Sequence, residues 1–274
     1  MSLQERKLVF LDIDGTLIPK SQRMTEKTVQ ALRQAGDNGH VLCICTGRTY
    51  CEMPEEMKRF DAIISAAGAC VMWKKNILLA NYFTEKEKKQ VTKLLEEADA
   101  VYLMEGFDDL YMKRENYDRF LERLEGCDEE EREILEMFQK TNFCSDTDKM
   151  RKVHKCSYFY AEKDSDWFRE KLKAWDMGLA TFSQRETRGY SGEITKAAYT
   201  KGSALRYLSE YLGIPIKNTI AIGDSENDLA MLQAAGVGIA MGNSFDYVKE
   251  TADDVTRSVE EDGVYYAFLK YGLI

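Results

Sequence analysis

The chain has 274 residues, 44% of them hydrophobic and 31% charged, the balance of a soluble globular protein long enough for one large domain or two smaller ones. Its 47 acidic and 38 basic residues leave a net charge of −9. Such a surface repels phosphate backbones and anionic lipid, which excludes nucleic acid and membrane as expected partners and confines any phosphate site to a local basic or metal-loaded spot.

In chain order, Leu8–Ile13 is a short apolar run interrupted by Asp12 and preceded by Arg6 and Lys7. It is too short for a secretory core or a membrane span and reads as a strand buried on both faces. Thr25 to Ala35 reads as a helix: Thr25 caps it, Val29 and Leu32 share a face, and Gly36 ends it. Val41–Cys45 and Asp61–Ser65 are two further buried strands. Strand and helix alternating at this spacing predict a parallel α/β sheet. The middle of the chain is different, with long charged helices expected at Glu85–Glu97 and Glu129–Gln139 and strands at Tyr158–Tyr160 and Leu179–Phe182. Its acidic runs read as solvated helix faces. The α/β pattern then returns with a helix over Thr200–Leu212, a strand over Thr219–Ile222, a helix over Asn227–Ala234 and a strand over Val237–Ala240. The expected architecture is an α/β sheet domain, residues 1–81 and 190–274, interrupted by an inserted α/β domain, residues 82–189.

The seven cysteines, Cys43, Cys45, Cys51, Cys70, Cys127, Cys144 and Cys156, are odd in number and form no Cys-x-x-Cys. They read as reduced packing residues of a cytoplasmic protein. With only His40 and His154 present, histidine-based zinc sites and Ser-His-Asp catalysis are set aside; both histidines read as structural.

Four short segments carry the chemistry. Asp12-Ile13-Asp14-Gly15-Thr16 follows the first strand. Strand alternation predicts that Asp12 and Asp14 point to the same side, and two carboxylates at the carboxyl end of a buried strand need a cation or a function to hold them there. Cys45-Thr46-Gly47-Arg48 follows the second strand, where a Thr hydroxyl and a Gly amide are able to hold a phosphate oxygen. Lys201-Gly202 opens a helix, against the helix dipole. Gly223-Asp224-Ser225-Glu226-Asn227-Asp228 joins a strand to a helix and reads as a hard-cation site, the alternative being a helix start rich in capping acids. Any one of these segments has a bland explanation. All four in this order at strand ends and helix starts are far more specific.

On these segments the chain resembles the haloacid dehalogenase-like superfamily, and within it the Cof-like sugar phosphatases. Phe10 to Leu17 matches the nucleophile motif, Cys45-Thr46-Gly47-Arg48 the second, Lys201-Gly202 the third and Gly223 to Asp228 the fourth, while Val237 to Asn243 resembles the last core strand. The resemblance implies a phosphatase acting on a small phosphorylated metabolite, with sugar phosphates, flavin mononucleotide and pyridoxal phosphate all fitting. It implies an α/β fold with a Rossmann-like three-layer core and an inserted α/β cap domain, Asp12 as nucleophile, Asp14 as general acid and base, Mg²⁺ held by Asp12, the Asp14 carbonyl and Asp224, phosphate held by Thr46, Gly47, Lys201 and Asn227, and Asp228 orienting Lys201 or a metal-bound water. Where the family has Asn-Gly-Ala, this chain has Ala67-Gly68-Ala69, so an amide near the substrate entrance is missing. Arg185, Glu186 and Arg188 are cap candidates for substrate contact. A phosphomutase on the same fold and a non-catalytic phosphometabolite-binding protein are the competing readings; the intact acid/base aspartate speaks against the latter.

Overall fold

The first apolar run becomes the strand Leu8–Leu11, buried along its whole length. It sits centrally in an eight-stranded sheet of the computed structural model, which describes residues 5–19, 23–124, 132, 135–136, 138–144, 146–181 and 189–274. In space the strands run Asp254–Val255, Val237–Ala240, Thr219–Gly223, Leu8–Leu11, Val41–Cys45, Ala62–Ser65, Cys70–Trp73 and Asn76–Ala80. The first six are mutually parallel and the last two antiparallel. Because a parallel sheet is covered on both faces, its strands are apolar at every position. Alternation sends Leu8, Phe10, Cys43, Cys45 and Ala221 to one face, where Ala204, Leu205 and Leu208 of the helix Lys201–Tyr211 and Met231 and Leu232 of the helix Leu229–Ala234 cover them. Fully burying each large apolar side chain there contributes roughly 1.5–3 kcal/mol. The helices Glu26–Asp37 and Gly263–Lys270 pack together. Thr25 caps the first of these, its hydroxyl accepting from Thr28 N, as the sequence predicts.

The chain folds as two units. One comprises the segment ending at Arg48, Met53–Ala80 and Tyr199–Ile274; the other comprises Thr49–Glu52 and Asn81–Ala198. The second unit has its own six-stranded sheet, ordered Met177–Thr181, Tyr190–Lys196, Val153–Ala161, Val101–Gly106, Leu110–Met112 and Asn142–Phe143, and antiparallel except for its last pair. Its apolar core joins Tyr102, Met104, Cys156, Tyr158 and Ile194 of the sheet to Val91, Leu95 and Phe168 of the helices Glu85–Glu97 and Ser165–Lys173. A polar island interrupts this sheet: Lys155 is buried with its ammonium 2.9 Å from Glu105 and 2.8 Å from Glu193. The helix expected at Glu129–Gln139 falls largely outside the described residues; within it Phe138 is buried against Phe120, ring centres 4.5 Å apart.

Among the described residues no helix is long and apolar enough to cross a membrane. Cys43, Cys45, Cys51, Cys70, Cys144 and Cys156 are all free thiols, and Cys127 lies outside the described residues. His40 is buried and accepts a hydrogen bond from Lys7 N at its Nδ1, 3.1 Å away.

Candidate active site

Parallel strands all end at the same edge, so the loops that follow them gather there whatever their separation along the chain. Leu8–Leu11 lies between Thr219–Gly223 and Val41–Cys45. That order brings the loops beginning at Asp12, Thr46 and Asp224 together. Lys201 joins them from the first turn of its helix, where Thr200 is the N-cap, its hydroxyl accepting from Ser203 N. Gly202 lets that helix lie against the helix Leu229–Ala234: a Cβ there would stand 2.1 Å from Ala230 O.

Lys201 is no surface residue. Its ammonium is fully buried and makes two hydrogen bonds, to Asp12 Oδ1 at 2.7 Å and Asp228 Oδ1 at 2.6 Å. Burial works against its charge, yet Asp12 and Asp228 outweigh it and hold Lys201 protonated above the ordinary lysine range. The other oxygen of Asp228 accepts from Asp224 N, Ser225 N and Ser225 Oγ. With both oxygens engaged, Asp228 braces the lysine and the loop.

Asp12, Asp224 and Asp228 place carboxylate oxygens within 4.8 Å of one another. Three acids face one ammonium, and two of them, Asp12 and Asp224, titrate abnormally. Burial drives the Asp12 carboxyl well above the usual range, with the charges of Asp228 and Asp224 adding to it against the pull of Lys201. Burial and the Asp228 charge likewise push the Asp224 carboxyl up to about 7. Thr16 donates to Asp224 Oδ1 at 3.1 Å and fixes its rotamer. Gly15, at φ +81°, brings its loop so near that a Cβ would meet Asp224 Oδ2 at 2.3 Å, and no side chain could take its place there. A buried set of hard oxygen donors with surplus negative charge fits a small divalent cation.

Asp14 stands beyond the end of the strand. The strand ends at Leu11, and Leu17 N and Ile18 N both bond Ile13 O, so the chain turns away before Asp14. Asp12 is buried, whereas the Asp14 side chain is 52% exposed and ion-paired bidentately with Arg48. The carboxylates of Asp12 and Asp14 do not share one environment.

Of the residues expected to hold phosphate, Gly47 and Asn227 lie side by side. The Thr46 hydroxyl accepts from Arg48 N at 3.1 Å, which leaves its own proton to donate. A Cβ on Gly47 would lie 3.3 Å from Asn227 Nδ2. Ser225 Oγ also lies 3.1 Å from Asn227 Oδ1, its one proton shared between that amide and Asp228. Asn243 closes the loop from behind, donating to Gly15 O at 2.9 Å and accepting from Val259 N. Arg185, Glu186 and Arg188 lie outside the described residues.

Sequence reasoning missed Thr16 and Arg48, though both stand inside motifs it singled out. The hydroxyl two residues after Asp14 and the basic residue two after Thr46 were the available signals. At Ala67 the missing amide leaves a second mark: Ala67 adopts φ 54°, ψ 27°, the left-handed region in which Asn is more at ease than Ala.

A parallel sheet with a nucleophile-type aspartate loop, a buried lysine and an acidic loop at its carboxyl edge defines a class of phosphoryl-handling hydrolases. The chain belongs to the haloacid dehalogenase-like hydrolase family, whose model matches residues 9–268. It is 29% identical over 264 residues to the 5-amino-6-(5-phospho-D-ribitylamino)uracil phosphatase YitU of Bacillus subtilis, covering 94% of each chain. It is 26% identical over 266 residues to the phosphoglycolate phosphatase of Methanobrevibacter smithii, covering 97% of this chain and 98% of the relative. Among solved structures it resembles BT1666 of Bacteroides thetaiotaomicron, with a TM-score of 0.80 at 23% identity over 100% of this chain and 97% of that one. It also resembles the subclass IIB sugar phosphatase BT4131, with a TM-score of 0.78 at 22% identity over 98% and 100%. Like its relatives, the chain is a phosphoric monoester hydrolase.

Proposed function

We propose that the protein is a Mg²⁺-dependent phosphatase that hydrolyses a small sugar or sugar-alcohol phosphate through a phosphoaspartate on Asp12. The observation that carries this reading is the buried Lys201 bridging Asp12 and Asp228 beside Asp224, an arrangement that a protein merely binding a metabolite has no need to maintain. The substrate class is supported by relatives named for phosphorylated ribitylaminouracil and by a structural neighbour titled a sugar phosphatase.

In this reading one Asp12 oxygen attacks phosphorus as the ester P–O bond breaks, and Asp14 gives its proton to the departing alkoxide. Water then attacks phosphorus of the acyl phosphate, Asp14 takes its proton back, and the Asp12 carboxylate is restored with inorganic phosphate. Thr46, Gly47, Asn227 and Lys201 hold the phosphoryl oxygens. Lys201 offsets the repulsion between carboxylate and phosphate, and Asp228 keeps Lys201 in place. Asp12, Asp224 and the Asp14 carbonyl would hold Mg²⁺, which when bound screens the charge gathering on the phosphoryl oxygens. We place the enzyme in the cytoplasm, a reading supported by its free thiols.

Release of phosphate from a panel of phosphorylated metabolites tests the reading. Activity should vanish in EDTA and return with Mg²⁺, with Ca²⁺ a poor substitute because it takes more ligands at longer distances. Asp12→Asn should abolish turnover while leaving the fold intact, since it removes one of three crowded acids. In ¹⁸O-water the label should enter the released phosphate. Conversion of a sugar 1-phosphate to its 6-phosphate with little phosphate release would favour the mutase instead.

A further inference from the structure

The strand Ala62–Ser65 turns back into the antiparallel strand Cys70–Trp73 through four residues, 66–69, with Ser65 and Cys70 paired at the base of the turn. Four-residue hairpins are commonly built round a type I turn, whose two central residues both have negative φ. This one is built otherwise. Three residues in succession have positive φ: Ala66 at 51°, Ala67 at 54° and Gly68 at 107°. Glycine adopts such angles freely, but each alanine carries a Cβ that opposes them. Backbone held in so costly a form persists where its surroundings over-determine it, and such places cluster at functional sites.

The surroundings here are two parts of the phosphate site, and all of them belong to the first unit. On one side Ala66 N donates to Arg48 O at 2.8 Å and Ala67 N donates to Thr46 O at 3.1 Å. Both amides therefore hold the loop that carries Thr46, Gly47 and Arg48. On the other side Gly68 packs against the start of the helix Lys201–Tyr211, where a Cβ would stand 2.3 Å from Thr200 O and 2.9 Å from Lys201 N. Thr200 O in turn accepts from Ala204 N at 3.0 Å. The hydrogen bonds and the close approach are made by backbone alone, since neither alanine offers a polar side chain. Returning either alanine to negative φ would rotate the chain about its N–Cα bond, and would take the two amides off their carbonyls or Gly68 off Thr200.

We propose that Ala66–Gly68 is a positioning wedge whose positive-φ backbone sets the separation between the Thr46 loop and Lys201. Arg48 is among the groups it places, and with Arg48 the Asp14 carboxylate that the guanidinium holds. The proposal rests on the phosphatase reading only for its effect on turnover; its geometric content stands apart.

Three variants of the full chain test it. Ala67→Gly accepts positive φ and should keep at least half of the wild-type kcat. Ala67→Val, whose branched Cβ resists positive φ, should lower kcat at least tenfold while changing KM less than threefold. Gly68→Ala, pressed against Thr200 O, should lower kcat at least tenfold from the Lys201 side. Amide exchange followed by NMR reads the wedge without substrate. Ala67→Val should speed exchange of the Ala204 amide at least fivefold, and Gly68→Ala should do the same for the Ala66 and Ala67 amides. The amides of the central strand Leu8–Leu11 should be unchanged in both, which separates a local shift from general loosening. Wild-type kcat in both Ala67→Val and Gly68→Ala, or no change of exchange across the wedge in either, overturns the proposal. Equal loss of kcat in Ala67→Gly and Ala67→Val also overturns it, because the methyl group and not the backbone would then matter. An inactive wild-type chain would count against the phosphatase reading instead, and the exchange rates would still decide the wedge.

Discussion

The guanidinium of Arg48 grips the carboxylate of Asp14 with two hydrogen bonds, Nε to Oδ2 at 2.7 Å and Nη2 to Oδ1 at 2.6 Å. Both side chains are substantially exposed, 40% and 52%, and ion pairs in such settings add little to stability. The value of this pair therefore lies in placing Asp14, one oxygen of which must leave Arg48 before it can carry the proton given to the alkoxide. Arg48→Met should lower kcat by about 10²-fold, the scale of a misplaced catalytic group, with little change in Tm. Arg48→Lys should recover part of the loss. Steady-state kinetics showing wild-type kcat in Arg48→Met would remove Arg48 from the machinery.

Lys201 is the opposite case, a charge buried between two acids. Lys201→Ala strands Asp12 and Asp228 without their ammonium, and breaking a buried pair of this kind costs about 3–5 kcal/mol. The same change should lower kcat by about 10²–10³-fold. Denaturant titration and kinetics read the two effects separately. Unchanged stability would mean that the ammonium is not buried between these carboxylates in solution.

His154 predicts a pH dependence of stability. It is the second residue of the strand Val153–Ala161, its Nδ1 lies 2.8 Å from Asn81 O, and burial lowers its pKa from 6.5 to about 4. Below pH 6.5 the unfolded chain takes up the proton that the folded chain refuses. Stability therefore falls as pH drops from 6.5 to 4, by about 3 kcal/mol from this residue, and the contribution is intact above 6.5. Chemical denaturation from pH 4 to 7 should show a shallower slope in His154→Phe. An identical slope would assign the dependence to other groups.

Ala67 sits in the left-handed region at φ 54°, which costs a residue with a Cβ roughly 1–2 kcal/mol. Ala67→Asn should relieve about 1 kcal/mol and raise Tm by about 2–4 °C. A lower Tm would mean that the side-chain amide lacks room. Comparing kcat/KM across the phosphate panel for wild type and variant would also show what the missing amide does to substrate choice.

The strands Leu8–Leu11, Val41–Cys45, Ala62–Ser65 and Thr219–Gly223 were legible in the sequence because a strand buried on both faces must be apolar throughout. The helix at Lys201 was legible through its amphipathic face, and the four motifs implied a phosphatase site through their resemblance to the haloacid dehalogenase-like family. These are local signals, set by backbone periodicity and capping. Tertiary structure decided which of those residues meet. Lys201 reaches Asp12 across 189 positions of sequence only because the strand after Lys201's helix pairs with Leu8–Leu11, and no local pattern encodes that neighbour. The pairing of Asp14 with Arg48, 34 positions away, depends on where the neighbouring strand ends. The titration of Asp12 and Asp224 is tertiary as well, since it follows from how much water the packed loops exclude and how many like charges they crowd together.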